Sequence, residues 1–425
     1  FKARPTEAIP RPLFFTDMDI PDLPGVSATK IEPAQSWYGE QDGEVEGVAT
    51  LIADSRGHIF GTINDGDFAY EIKTVSDDSS SESRKVTYKI HLMNIPRMKE
   101  EHEIYDNADV RRQMAQLRGR HLVSAARDLQ EKKDIQGSFG DWYDSDGPSF
   151  SCDWYSKENR CGQYGDDYEN HGFTANQACT ACGGGGITIA DVMAIYTPEA
   201  KEGAGGQNEI KNLISMSLFQ TNIALSNTGI PLRHRLVHTM EDPTFNDVPG
   251  IDYGEFLFAV TNTTTDEYLH VHAKRENVGA DLVAILGEDV TAGMSTSLGE
   301  ITVVGMKGFA EVRRDQAALS GHYMLAHEFG HLMGARHEVG QDDAPGFAHG
   351  YIDKRECFRT IMSYPGDCDN ERSHNSILQY SNIEKKHNGN AVGNEEDSNN
   401  ARAINAYYPS LAELMPTKPQ AVELC

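Results

Sequence analysis

The stretch HEFGHLMGARH, residues 327 to 337, sets three histidines and a glutamate at intervals that can perform metal chemistry. His327 and His331 stand four apart, so on a helix their imidazoles leave the same face one turn apart and can share one ion. Glu328 follows the first ligand and reaches the same side as a proton acceptor rather than a ligand. Gly334, three residues after His331, is free to take positive φ and turn the chain back, which brings in His337 as a third donor. Three nitrogens and one water form the open coordination of catalytic zinc, whereas structural zinc is closed by four protein ligands. Zinc held this way would lower the pKa of its water towards about 7, with Glu328 as the group to take the proton. A bare H-E-x-x-H recurs by chance in chains with many histidines. The added Gly334 and His337 make the pattern specific.

A helix must carry these residues. Between Ser320 and Met333, the apolar Met324, Leu325, Phe329, Leu332 and Met333 recur at helical spacing. Upstream, ITIADVMAIYTP is apolar enough for a buried strand, followed by a helix from about Gln207 to Thr228. IPLRHRLVHTM and ADLVAILG then read as a second and a third strand. This alternation predicts an α+β fold, a mixed twisted sheet backed by helices with the zinc helix crossing beneath it.

Further on, CFRTIMSYPGDC at 357 to 368 places Met362 25 positions after His337. With the zinc motif, the sequence resembles the metzincin metallopeptidases, whose signature joins H-E-x-x-H-x-x-G-x-x-H to a methionine turn beneath the zinc. The segments DVMAIYTPEA, FQTNIALSNTGIPLRHRLVH, GADLVAILG, FAHGY, FRTIMSYP and NARAINAYYP are similar to the reprolysin-like branch in its microbial secreted form, from Ile187 to Leu411. The resemblance implies a zinc endopeptidase acting on proteins or peptides, with Met362 as a hydrophobic floor under the metal and not a ligand. Two positions depart from it. Glu338 follows the third histidine where reprolysins usually carry Asp, and Tyr364 falls where astacins and serralysins carry a tyrosine that can bind zinc or the oxyanion. For Tyr364, a catalytic helper and a packing residue both stay open. Cys357 and Cys368 bracket the turn and are expected to pair in an oxidising compartment.

The 425 residues are enough for two or three domains. No run of eighteen apolar residues occurs, so no membrane span is expected. A net charge of −27 argues against nucleic acid as a partner, because phosphate contacts need a basic surface. The same acidity fits a soluble protein in a salty medium, or one that binds Ca2+ besides zinc. The chain opens at Phe1 with no initiator Met and no basic-then-apolar leader, as expected of a secreted protein whose signal peptide is absent or removed. The sequon NTT at 262 to 264 agrees with an extracellular location.

Ahead of the catalytic domain (187–411) two regions separate, and a tail (412–425) follows it. Residues 1–140 hold short β-rich runs broken by SRGH and NDGD, a meander pattern similar to reprolysin-like propeptides. Within them, SDDSSSES at 76 to 83 reads as a loop, and residues 107 to 134 as a charged helix. The Arg pairs at 111 to 112 and 118 to 120 in this helix are either protease-sensitive or a solvated face. Residues 141–186 carry Cys152, Cys161, Cys179 and Cys182 among few aliphatics, so the unit needs staples. Two disulfides are the simplest reading, with three pairings open and a structural zinc as the alternative. The tetraglycine at 183 to 186 serves as a hinge, and Cys425 is left over. Cys161, in NRCGQYG, resembles the inhibitory cysteine segment of matrixins, which would silence a precursor by a thiolate on zinc; half of a disulfide is the other reading. Two competing functions stand beside the endopeptidase. One is a binding protein that keeps the fold and works through its Cys-rich unit. The other is hydrolysis of a small amide or ester.

Overall fold

The computed structural model describes residues 35–40, 48–53, 59–64, 69–78, 85–93, 136–137, 140–168, 174–182, 185–245, 247, 253–290, 293–299, 301–302, 305–318, 322–342, 346–366, 368 and 374–416. The first five segments are strands β1 (Gln35–Glu40), β2 (Val48–Ala53), β3 (Ile59–Asn64), β4 (Ala69–Asp78) and β5 (Lys85–Met93). They pair in sequence order, each antiparallel to the next. This is the meander read from the turn signals. Of the loop expected over 76 to 83, Ser76–Asp78 instead pair with β5 after a register shift at Thr74, and the rest lies outside the described residues. The charged helix expected over 107 to 134 lies outside the described residues.

The small unit after residue 140 is stapled by Cys152–Cys179 and Cys161–Cys182. This pairing selects one of the three connectivities. It bears out the two-disulfide reading over its two alternatives, since a sulfur spent in a disulfide serves neither a structural zinc nor an inhibitory thiolate at Cys161. Around the staples, Trp142, Tyr155 and Ala178 form a compact core. The Tyr155 hydroxyl donates to Asp144 at 2.7 Å, so the buried phenol is satisfied. Of the tetraglycine, Gly185 and Gly186 are described, and both take φ of +75°.

The larger domain is built on a five-stranded sheet. Its strands are β6 (Thr188–Tyr196), β7 (Leu232–Glu241), β8 (Leu282–Gly287), β9 (Gly293–Ser295) and β10 (Phe309–Arg313), in the order β9-β10-β8-β6-β7. Four strands are parallel and β9 runs antiparallel at the edge. Parallel strands are covered on both faces, which is why β6 and β8 read as continuous apolar runs rather than alternating ones. One face packs against α2 (Gln207–Thr228), after the short α1 (Pro198–Ala204), and against the His-bearing helix described below. The other face packs against α3 (Tyr253–Thr261) and α4 (Leu269–Val278) through Phe256, Leu257, Val260 and Val271. The expected strands and the helix from Gln207 to Thr228 lie where the sequence put them. The strands β9 and β10 and the helices α3 and α4 had no counterpart in that reading. The N-terminal meander meets this domain on α2, where Gln220 Nε2 donates to Thr62 Oγ1 at 3.3 Å.

The base of the sheet holds a buried charged group. Arg235 grips both oxygens of Asp191 at 2.6 and 2.7 Å, and the Asp191 amide donates to Asp281 at 2.9 Å. Met415 N, from the chain's last described segment, donates to the other Asp281 oxygen at 3.2 Å. Burial pushes the Asp281 pKa from 3.8 up to about 7, against the pull of these amides. The folded protein therefore keeps this proton over a pH range where the unfolded chain has released it. Stability from this group is fully present below about 3.8 and is lost as pH rises towards about 7. Thermal unfolding of wild type and Asp281→Asn between these limits should show wild type losing ground to the variant as pH rises. A difference independent of pH would contradict this.

Candidate metal centre

Helix α5 (Met324–Leu332) lies on the sheet with every residue buried. It begins after Tyr323, which takes the left-handed conformation at φ 49°. It ends in a Schellman motif: Gly334, at φ +85°, donates its N–H to the His331 carbonyl at 2.8 Å, and Ala335 donates to Gly330 at 2.9 Å. The reversal does two jobs. It sends His337 back towards the helix, and it returns the Ala335 carbonyl to accept from His331 Nδ1 at 2.8 Å. His327 Nδ1 likewise donates to the Ile361 carbonyl at 2.9 Å.

Those carbonyls fix the tautomers. A carbonyl only accepts, so both Nδ1 atoms carry the proton and both Nε2 atoms present bare lone pairs. These face His337 Nε2 at 3.1 Å from His327 and 2.9 Å from His331. His337 Nε2 can offer one proton at most, so at least one of the two contacts sets lone pair against lone pair. A cation among the three nitrogens removes that repulsion, and neutral imidazoles braced on backbone carbonyls are the donors zinc prefers. The three donor atoms lie within 4.8 Å of one another, all on buried residues, and no other such cluster occurs among the described residues. His322, five residues before His327, is not brought in. Burial, then the charges of Arg359, Arg313 and His327, push its pKa down to about 3.

Glu328 is buried beside His327. Its neighbour on the edge strand is Gly293, where an added Cβ would stand 2.6 Å from Glu328 Oε1. Sequence reading missed Gly293, although a glycine inside a strand is a known mark of close approach. Met362 is fully buried under α5, and an added Cβ at Gly330 would lie 2.4 Å from its sulfur. The glycine of H-E-F-G-H thus leaves the space that the methionine fills. The Cys357–Cys368 disulfide closes the loop around this turn, as expected. Tyr364 packs its ring on His337 with centroids 4.5 Å apart, and its amide donates to Glu338 Oε2 at 2.9 Å. Glu338 therefore ties the segment that carries His337 to the turn that carries Met362 and Tyr364. His349, given no role from sequence, donates from Nδ1 to the His337 carbonyl at 2.8 Å and holds the backbone of that histidine.

Residues 188–391 match the model of the M12B reprolysin-like metallopeptidases. The chain is 27% identical over 234 residues to a peptidyl-Asp metalloendopeptidase of Xanthomonas campestris, covering 53% of this chain and 52% of that one. It is 28% identical over 255 residues to an enzyme of the same name from Pseudomonas aeruginosa, covering 54% and 40%. A third, from Stenotrophomonas maltophilia, is 26% identical over 223 residues, covering 50% and 49%. The chain spans about half the length of the curated relatives it matches. Residues 188–391, with the histidine centre they carry, are thus similar to the reprolysin-like metallopeptidases.

Proposed function

We propose that the protein is a zinc-dependent endopeptidase in which His327, His331 and His337 hold the metal and Glu328 is the general base. The observation that carries this reading is the convergence of three imidazole nitrogens within 4.8 Å of one another beside a buried glutamate. Bound zinc supplies the Lewis acidity that polarises the scissile carbonyl and acidifies water. Glu328 accepts the proton of the attacking water and delivers it to the departing amine, so one carboxylate serves as base and then as acid. In this reading Tyr364, whose ring packs on His337, donates a hydrogen bond from its hydroxyl to the developing oxyanion.

The relatives are named for aspartate, and peptides with aspartate at the scissile bond are the first substrates to try. Cleavage of an aspartate-containing peptide library that stops with a chelator and returns with zinc supports the reading. Cleavage untouched by chelator overturns it. A binding protein or a small-amide hydrolase would leave such a library intact.

Residues 1 to 186 act, in this proposal, as a precursor region that lowers activity by covering the cleft, and secretion fits the three disulfides. The disulfide at Cys161 leaves steric cover as the inhibitory route. The full chain should cleave peptides at least tenfold more slowly than a chain starting at Ile187, both loaded with zinc. Equal rates would sink the latency claim.

A further inference from the structure

We propose that Arg359 is a positioning residue for the metal centre, fixing the backbone turn that seats Tyr364 on the histidine ligands; this rests on the zinc-peptidase reading above. Arg359 stands two residues before Ile361, whose carbonyl anchors His327, and its side chain is almost fully buried. Its guanidinium Nη1 donates to the Ser363 carbonyl. On the next residue, Glu338 Oε2 accepts the Tyr364 amide at 2.9 Å. The peptide unit between Ser363 and Tyr364 is thus held at both ends, its carbonyl by a cation and its N–H by an anion.

The two charges also act on each other. Burial lowers the Arg359 pKa to about 10, and the Glu338 carboxylate is the main influence opposing it. Rotating the peptide unit would break both hydrogen bonds and leave two charges in a poorly solvated place, which is costly. The plane of this unit sets the direction in which Tyr364 leaves the chain. Its ring accordingly lies 4.5 Å from His337 and 6.2 Å from His327, centroid to centroid. Glu338 is adjacent to a ligand, so the clamp joins the third histidine to the turn beneath the first. A longer carboxylate than the Asp usual at this position suits a site where a buried arginine takes the other end.

The test uses the full chain with Arg359→Lys and Arg359→Met, read first by amide hydrogen exchange and then by kinetics. Arg359→Met should raise exchange at least tenfold in the peptide covering 361 to 366 while leaving the one covering 324 to 332 protected. The Lys variant, which keeps the charge and one donor, should recover part of the protection. In the zinc-loaded protein, kcat should fall about tenfold with KM changed less than about threefold, the pattern of an interaction made only in the transition state. Adding Tyr364→Phe to Arg359→Met should cost little more, since the ring is already displaced. Equal loss of protection in both peptides, or a Tyr364→Phe effect that multiplies in full, would overturn the proposal. Exchange is read without activity, so a chain that cleaves nothing would refute the peptidase reading and still report on the clamp.

Discussion

Glu328→Gln is expected to keep its zinc and lose peptidase activity by a factor of about 10²–10⁴, the range that general acid–base catalysis contributes. The amide has nearly the shape of the carboxylate, and Glu328 sits against Gly293 with room for little else. The imidazoles of His327 and His331 are untouched, because their bracing runs to the carbonyls of Ile361 and Ala335. Metal content and thermal stability should therefore stay near wild type while kcat collapses. A variant that cleaves at the wild-type rate would remove Glu328 from the mechanism. One that loses both zinc and activity would make it a structural support of the metal.

Gly330→Ala sets two effects against each other. In a helix interior, alanine is favoured over glycine by about 1 kcal/mol. Here its methyl would meet the Met362 sulfur at 2.4 Å and the Tyr380 ring at 2.9 Å. Both neighbours are fully buried, and Tyr380 is tied by its hydroxyl to the Ala326 carbonyl at 2.6 Å. Overpacking of a close core costs about 1–3 kcal/mol and sometimes more, so the clash wins. The melting temperature should fall by several degrees, at about 2–4 °C per kcal/mol for a domain of this size. Shortening the side chain below, in Gly330→Ala with Met362→Ala, should recover part of the loss. An alanine variant at least as stable as wild type would mean that Met362 is not wedged under the helix as described.

The histidine pair and its base were legible because they are local. A helical period of 3.6 places His327 over His331 wherever the helix forms, and Gly334 announces the reversal that delivers His337. The strands at 188–196 and 282–287 were legible for a related reason, since burial on both faces writes a continuous apolar run. What could not be read is what depends on distant backbone. The carbonyls of Ile361 and Ala335 carry no side-chain signature, yet they choose the tautomers. The edge strand β9 is three residues long, too short to show a period, and its Gly293 gains meaning only beside Glu328. His349 and Arg359 read as an ordinary histidine and arginine until the fold brings one to the His337 carbonyl and the other under the methionine turn. The four cysteines of the small unit admitted three pairings, and only their placement selects Cys152–Cys179 and Cys161–Cys182.

The central claim is that three histidines hold one zinc. Elemental analysis of the purified full chain, after dialysis against metal-free buffer, tests it directly when wild type is compared with His331→Ala. His331 is the choice because its Nε2 approaches His337 most closely, at 2.9 Å, and its loss leaves two ligands that cannot close around an ion. One zinc per wild-type chain and close to none in the variant is the predicted result. Zinc retained in full by His331→Ala, or a wild-type chain that binds none when zinc is offered, would contradict it.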